Sequence, residues 1–208
     1  MERRVSHEAG GLAIEQRADG KGQMLVGYGA VFHRDGEGGT EYRLAEQAVE
    51  RIAPTAFDAV LSSGADVRGL YNHDPGQVLG RTAAGTMRLK TDARGLRYEI
   101  DLPDTQAARD LSALIQRGDI SGSSFSFSVS DAGQTWRRDE KRGVAVRTIT
   151  NVSALVDVGP VTFPAYAGTT AATRCDGDSG EALEQLRRWR ERMVSTRLRV
   201  IALDTESA

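Results

Sequence analysis

Three residue types in this chain can together hydrolyse an acyl bond: a serine as nucleophile, a histidine to take its proton, and a carboxylate to hold the histidine in place. The serines cluster in Ser121-Gly122-Ser123-Ser124-Phe125-Ser126-Phe127-Ser128-Val129-Ser130. From Ser124 onward the stretch alternates. Phe125, Phe127 and Val129 fall on one side of a strand, and Ser124, Ser126, Ser128 and Ser130 on the other. One face is a core wall and the other a row of hydroxyls. Taken alone, such a stretch is a half-buried strand with hydroxyls toward water. A nucleophile among them requires a base and an orienting acid elsewhere.

The chain has three histidines, His7, His33 and His73. His7 lies in a polar N-terminal stretch and His33 precedes a loop rich in glycine and acid, so both read as surface residues. His73 stands at the junction of an apolar strand and the proline turn Asn72-His73-Asp74-Pro75-Gly76, a good position for a functional side chain. No histidine follows it, so a third member is acidic or absent. Asp157, in Leu155-Val156-Asp157-Val158, is a carboxylate among apolar neighbours and needs a partner or solvent.

Other chemistries have less support. No histidine pair has helical ligand spacing and there is no cysteine cluster, so neither a metal site nor a cofactor is expected. Gly27-Tyr28-Gly29 lacks the third glycine and the helix of a dinucleotide site and reads as a strand bend. The single cysteine, Cys175, lies beside acids and outside the expected core; one cysteine forms no internal disulfide and agrees with a reducing compartment.

The elements that must position these residues are mostly strands. Residues 24–32, 67–71, 86–90 and 95–102 read as strands, the last two forming a hairpin, followed by the serine strand, 144–149 and 152–161. Pro54 opens a short helix over 55–61. Asp104 is placed to cap a second helix with Ala107, Ala108, Leu111, Leu114 and Ile115 on one face and Gly118 at its stop. Residues 1–22 are expected to be loosely ordered, with at most a short strand at 12–14. The main domain spans 23–170, a linker 171–180, and residues 181–208 carry an amphipathic helix and tail.

Composition sets outer bounds. The 208 residues are 39% hydrophobic and 27% charged, and 23 glycines lean toward a β-rich fold with many tight turns. No apolar run is long enough for a membrane span and the start lacks a signal peptide's apolar segment, so a cytoplasmic setting is expected. A formal net charge of −2 gives no electrostatic case for specific nucleic-acid binding, and the arginines of the tail read as a solvated helix face.

Several segments in register resemble the prohead maturation protease family of tailed bacteriophages and prophages: Tyr71-Asn72-His73-Asp74, Val78-Leu79-Gly80-Arg81-Thr82, Asp101-Leu102-Pro103-Asp104-Thr105, Arg117 through Phe127, and Val158-Gly159-Pro160-Val161-Thr162-Phe163-Pro164-Ala165-Tyr166. The resemblance covers about residues 27–170. It implies a serine endopeptidase of the herpesvirus-assemblin-like clan, a β-rich α+β protein built as a β-barrel flanked by helices. It also implies cleavage of scaffold, or of the scaffold-like part of the major capsid protein, inside the immature head in the host cytoplasm. The family's histidine falls on His73, its nucleophile on Ser124, two residues after Gly122, and its acidic member on Asp157. Two departures stand out: Ser126 where the family often has glycine, and Pro54-Thr55-Ala56-Phe57 in place of Pro-Gly-Ala-Phe. Self-association, and self-cleavage in the 167–180 region, are further expectations. The alternative is a noncatalytic assembly protein that keeps the fold and enters the head through its tail helix.

Overall fold

The structure is a computed structural model describing residues 1–6 and 11–163, together with Glu184, Arg187, Arg188 and Glu191 of the tail. In chain order the elements are β1 (Glu2–Ser6), β2 (Ala13–Gln16), β3 (Gln23–Val31), β4 (Tyr42–Ala45), β5 (Ala48–Ile52), α1 (Asp58–Ser62), β6 (Arg68–Leu70), β7 (Val78–Arg81), β8 (Met87–Thr91), β9 (Gly95–Asp101), α2 (Gln106–Arg117), β10 (Gly122–Ser128), β11 (Gln134–Asp139), β12 (Val144–Ile149) and β13 (Ala154–Val161). They form one five-stranded sheet, β1-β10-β13-β6-β7, and two four-stranded sheets, β11-β12-β5-β4 and β2-β3-β9-β8.

The β-rich expectation holds, but the barrel does not: among the described residues no sheet closes on itself. Two parallel pairings, β12 on β5 and β13 on β6, join strands far apart in the chain, and each of the three sheets keeps free edges instead of forming one ring. Periodicity within a strand carries no information about such partners.

The core gathers between these sheets. Phe125 and Phe127 of β10 are fully buried and stack with centroids 4.7 Å apart, while Phe57 meets Phe125 edge-on at 5.8 Å. Burying each such ring contributes about 1.5–3 kcal/mol. Leu25, Tyr98, Ile100, Leu111 and Ile149 complete the same cluster. Tyr98 also explains the strand bend at Gly27-Tyr28-Gly29. The register of β3 on β9 shifts between Tyr28 and Ala30, and a Cβ at Gly27 would stand 2.5 Å from the Tyr98 hydroxyl.

The other face of β10 differs from the expectation. Ser124 and Ser126 are fully buried. Along its edge β10 is joined by the N-terminal stretch, expected to be loose, which supplies β1 and pairs antiparallel with it from Glu2 opposite Phe127 to Ser6 opposite Ser123. The sequence Glu-Arg-Arg-Val-Ser has no apolar alternation to announce a strand. Its burial rests on ion pairs instead.

The helices end where the sequence puts them and begin slightly later. Thr105, not Asp104, caps α2 through its Oγ1, which accepts from the Ala108 amide at 3.3 Å, and Gly118 closes the helix with φ of 84°. Its buried face is Ala108, Leu111, Ser112 and Ile115; Ala107 is exposed, and Ser112 is accommodated by donating to Gln23 Oε1 at 2.8 Å. Residues 54–57 form a turn, so α1 starts at Asp58. The linker 171–180 and most of the tail helix lie outside the described residues. Glu184, Arg187, Arg188 and Glu191 are helical, and Arg188 pairs with Glu184 one turn away at 2.6 Å.

Candidate active site

Three neighbouring strands of the five-stranded sheet bring the expected residues together. Ser124 lies on β10, and Asp157 lies on the adjacent β13, directly opposite Ser126. His73 comes from the turn after β6, which runs parallel to β13 on its far side with Arg68 opposite Asp157. To reach Ser124 the chain leaving β6 must cross over β13. It does so at Gly159, the partner of Ser124, where the carbonyl of Leu70 would stand 2.0 Å from any Cβ. Only glycine permits that approach.

The turn itself is held in an uncommon conformation. Asn72 and His73 both have positive φ, 54° and 57°, a region non-glycine residues seldom adopt, with asparagine and histidine among the more tolerant. The surroundings fix it. The Asn72 amide donates to the Pro160 carbonyl at 3.0 Å, its side-chain oxygen accepts from the Thr162 amide at 2.8 Å, and its Nδ2 donates to Thr162 Oγ1 at 3.0 Å. Tyr71 adds a hydroxyl contact to Thr162 at 2.8 Å, and Asp74 closes the far side by accepting from the Gly76 amide. The turn is thus fastened to the end of β13, the strand that carries Asp157.

His73 spans the gap between the other two. Its Nε2 is 2.6 Å from Ser124 Oγ, and its Nδ1 forms a short contact with Asp157 Oδ1. The His73 and Asp157 side chains are almost enclosed, 10% and 6% exposed, so the contacts act where water screens them little. Geometrically this arrangement lets a serine hydroxyl pass its proton to an imidazole whose other nitrogen is held by a carboxylate.

Two further contacts were not expected from the sequence. Ser126 Oγ lies 3.1 Å from His73 Nδ1, and Ser124 Oγ donates to the carbonyl of Arg4 at 2.9 Å. Ser126 had read as an ordinary hydroxyl, although its place two residues from Ser124 puts it on the same face. Ser123, on the opposite face, meets the buried Tyr98 hydroxyl at 2.7 Å, and burial pushes that tyrosine well above its ordinary value.

Below this site β1 joins a charged cluster. Arg4 donates to both oxygens of Glu50, at 2.5 and 3.0 Å, and Arg147 donates to Glu50 at 2.7 Å and to both oxygens of Glu2. Glu50 and Arg147 face each other across the parallel β5–β12 pair and are fully buried. Burial acts to raise the Glu2 carboxyl, but Arg147 and Arg4 outweigh it and hold it below the ordinary carboxylate range. Two cations and two anions satisfy one another.

A sequence profile described as caudovirus prohead serine protease matches residues 12–182. The chain belongs to that family. It is also 28% identical to the prohead protease of Enterobacteria phage HK97 over 182 residues, covering 85% of this chain and 71% of that protein. No solved structure gives a significant match. The membership identifies a phage head maturation protease, and the match begins after β1.

The remaining candidates stand apart. His33 contacts Asp35 at 3.0 Å and Thr40 at 3.3 Å at the edge of a polar loop. His7 and Cys175 lie outside the described residues. Among those described, no group of three or more His, Cys, Asp or Glu side chains could hold a metal ion, and no helix is long and apolar enough to cross a membrane.

Proposed function

We propose that the chain is a serine endopeptidase in which Ser124 is the nucleophile, His73 the general base and acid, and Asp157 the residue that orients His73. The observation that carries this reading is the position of the imidazole, with Nε2 at 2.6 Å from Ser124 Oγ and Nδ1 on Asp157. Ser124 Oγ attacks the carbonyl carbon of a peptide bond while its proton passes to Nε2. His73 then gives that proton to the departing amine, leaving an ester on Ser124. Water attacks the ester as His73 takes its proton, and the acid is released as the proton returns to Ser124.

On this reading the polypeptides cut are scaffold or the scaffold-like part of the major capsid protein, within the immature head assembled in the host cytoplasm, and membership of a prohead protease family supports it. Self-cleavage in the 167–180 region and self-association belong to the same reading. A noncatalytic assembly protein would have no need to hold a serine, a histidine and a carboxylate in line, and the 2.6 Å contact favours the enzyme. Coexpression with the cognate capsid and scaffold proteins tests the assignment. Processing is expected with the wild-type chain and absent with Ser124→Ala; processing by the alanine variant would sink it.

A further inference from the structure

We infer that β1 occupies the place of the substrate strand, and that Glu50 and Arg147 read the substrate's side chains: a basic residue at the position whose carbonyl meets Ser124, and an acidic residue two positions before it. The inference rests on Ser124 being the nucleophile.

Three observations carry it. First, β10 has β13 on one side, so a polypeptide can join its backbone ladder only along the other, where β1 now lies. Adding an extended segment to a sheet edge is a general way to bind peptides, with the main chain giving affinity and alternate side chains giving specificity. Second, the backbone of β1 meets the reacting group: Val5 is opposite Ser124, and the Arg4 carbonyl accepts from Ser124 Oγ at 2.9 Å. A serine has one hydroxyl proton. That proton serves either the Arg4 carbonyl or His73 Nε2, 2.6 Å away, so β1 competes with the base for it. Third, the side chains of Glu2 and Arg4 enter a pocket made by the body of the protein. Arg4 lies over the Phe127 ring at 5.5 Å and is gripped by both oxygens of Glu50, while Glu2 is gripped by Arg147. Gln134 Oε1 accepts from Arg147 Nε at 2.6 Å and fixes the guanidinium from the far side.

The pocket is selective by charge. With β1 displaced, Glu50 and Arg147 retain each other, but each loses hydrogen bonds that only groups of opposite charge restore. An incoming strand with an acid and a base spaced as Glu2 and Arg4 are remakes all four contacts. A strand with apolar groups there leaves buried charge under-satisfied, which binding sites reject strongly. The substrate class is therefore an extended polypeptide carrying acid-any-base, cut after the base, and β1 is its resident competitor.

The test uses the full chain and a library of peptides from a digested proteome, with cut sites mapped by mass spectrometry for wild type, Ser124→Ala and Arg4→Ala. Ser124-dependent cuts are expected after Arg or Lys, enriched for Asp or Glu two residues earlier. In a synthetic peptide containing Glu-Arg-Arg-Val-Ser, changing the second arginine to glutamine should lower kcat/KM more than about tenfold. Arg4→Ala should release β1 and raise the cutting rate about threefold or more, from loss of its grip on Glu50. Glu50→Gln should abolish the preference for a base; if that buried variant does not fold, the wild-type preference still decides. Ser124-dependent cuts without a charge preference, or an Arg4→Ala chain no faster than wild type, overturn this inference and leave the nucleophile standing. Absence of any Ser124-dependent cut in all chains, with scaffold also unprocessed, overturns both.

Discussion

Ser126 Oγ lies 3.1 Å from His73 Nδ1, the same nitrogen that meets Asp157. Two oxygens therefore steady one side of the imidazole while Ser124 faces the other. Ser126→Ala removes one contact in a buried setting and leaves the carboxylate in place. One neutral hydrogen bond contributes about 0.5–1.5 kcal/mol, so kcat should fall roughly threefold to tenfold with KM little changed. A steady-state comparison with a scaffold-derived peptide measures this. A drop confined to KM would mean that Ser126 acts on substrate and not on the histidine.

Asp157 sits in β13 between buried Val158 and half-buried Val156, with its carboxylate on His73. Asp157→Asn keeps the shape and removes the charge that stabilises imidazolium and fixes the ring. Activity should fall by a factor on the order of 10²–10⁴ while a folded circular dichroism spectrum is retained. An unfolded Asn variant would assign Asp157 a structural part instead.

The left-handed pair Asn72-His73 gives a way to separate backbone strain from anchoring. Asn72→Val places a β-branched residue at φ of 54° and deletes the contacts to Thr162, so it should cost about 1–3 kcal/mol in urea unfolding. Asn72→Gly relieves the strain but still lacks the anchor. Its stability should lie near wild type while its kcat stays low, because His73 is no longer tied to β13. Equal activity in the Gly variant and wild type would show that the anchor is dispensable.

How much of this was legible in the sequence differs from element to element. Alternation announced β10, and Gly118 announced the end of α2, because local sterics dictate both. Of the three proposed site residues, His73 and Asp157 each broke a local pattern, a histidine at a strand end and a carboxylate inside an apolar strand, whereas Ser124 was singled out among its neighbouring serines only by the family resemblance. Arg147, in Val144-Ala145-Val146-Arg147-Thr148-Ile149, breaks its strand in the same way as Asp157, and the same reasoning applied there would have found the charged cluster. What one chain's periodicity could not supply was partnership. The parallel pairs β13–β6 and β12–β5, and the docking of a polar N-terminal strand on β10, depend on contacts between residues separated by up to 145 positions. Those pairings belong to three open sheets where a barrel was expected.

The charge cluster also makes the hold on β1 depend on pH. Burial works to raise the Glu2 carboxyl, and Arg147 and Arg4 overcome it, so in the folded chain it lies below its ordinary value of 4.5. A group lowered in this way adds stability that is present above the ordinary value and is lost as pH falls through the folded one. Acidification from pH 5 downward should thus loosen β1 before the sheets it rests on, since protonated Glu2 no longer compensates buried Arg147. Amide exchange, corrected for intrinsic rates, should show protection of the β1 backbone falling across that window while β10 and β13 hold. In Glu2→Gln the β1 protection should be lower at neutral pH and flat through the same range. A wild-type β1 whose protection follows the rest of the sheet at every pH would mean that the strand is held by its backbone ladder and not by Glu2.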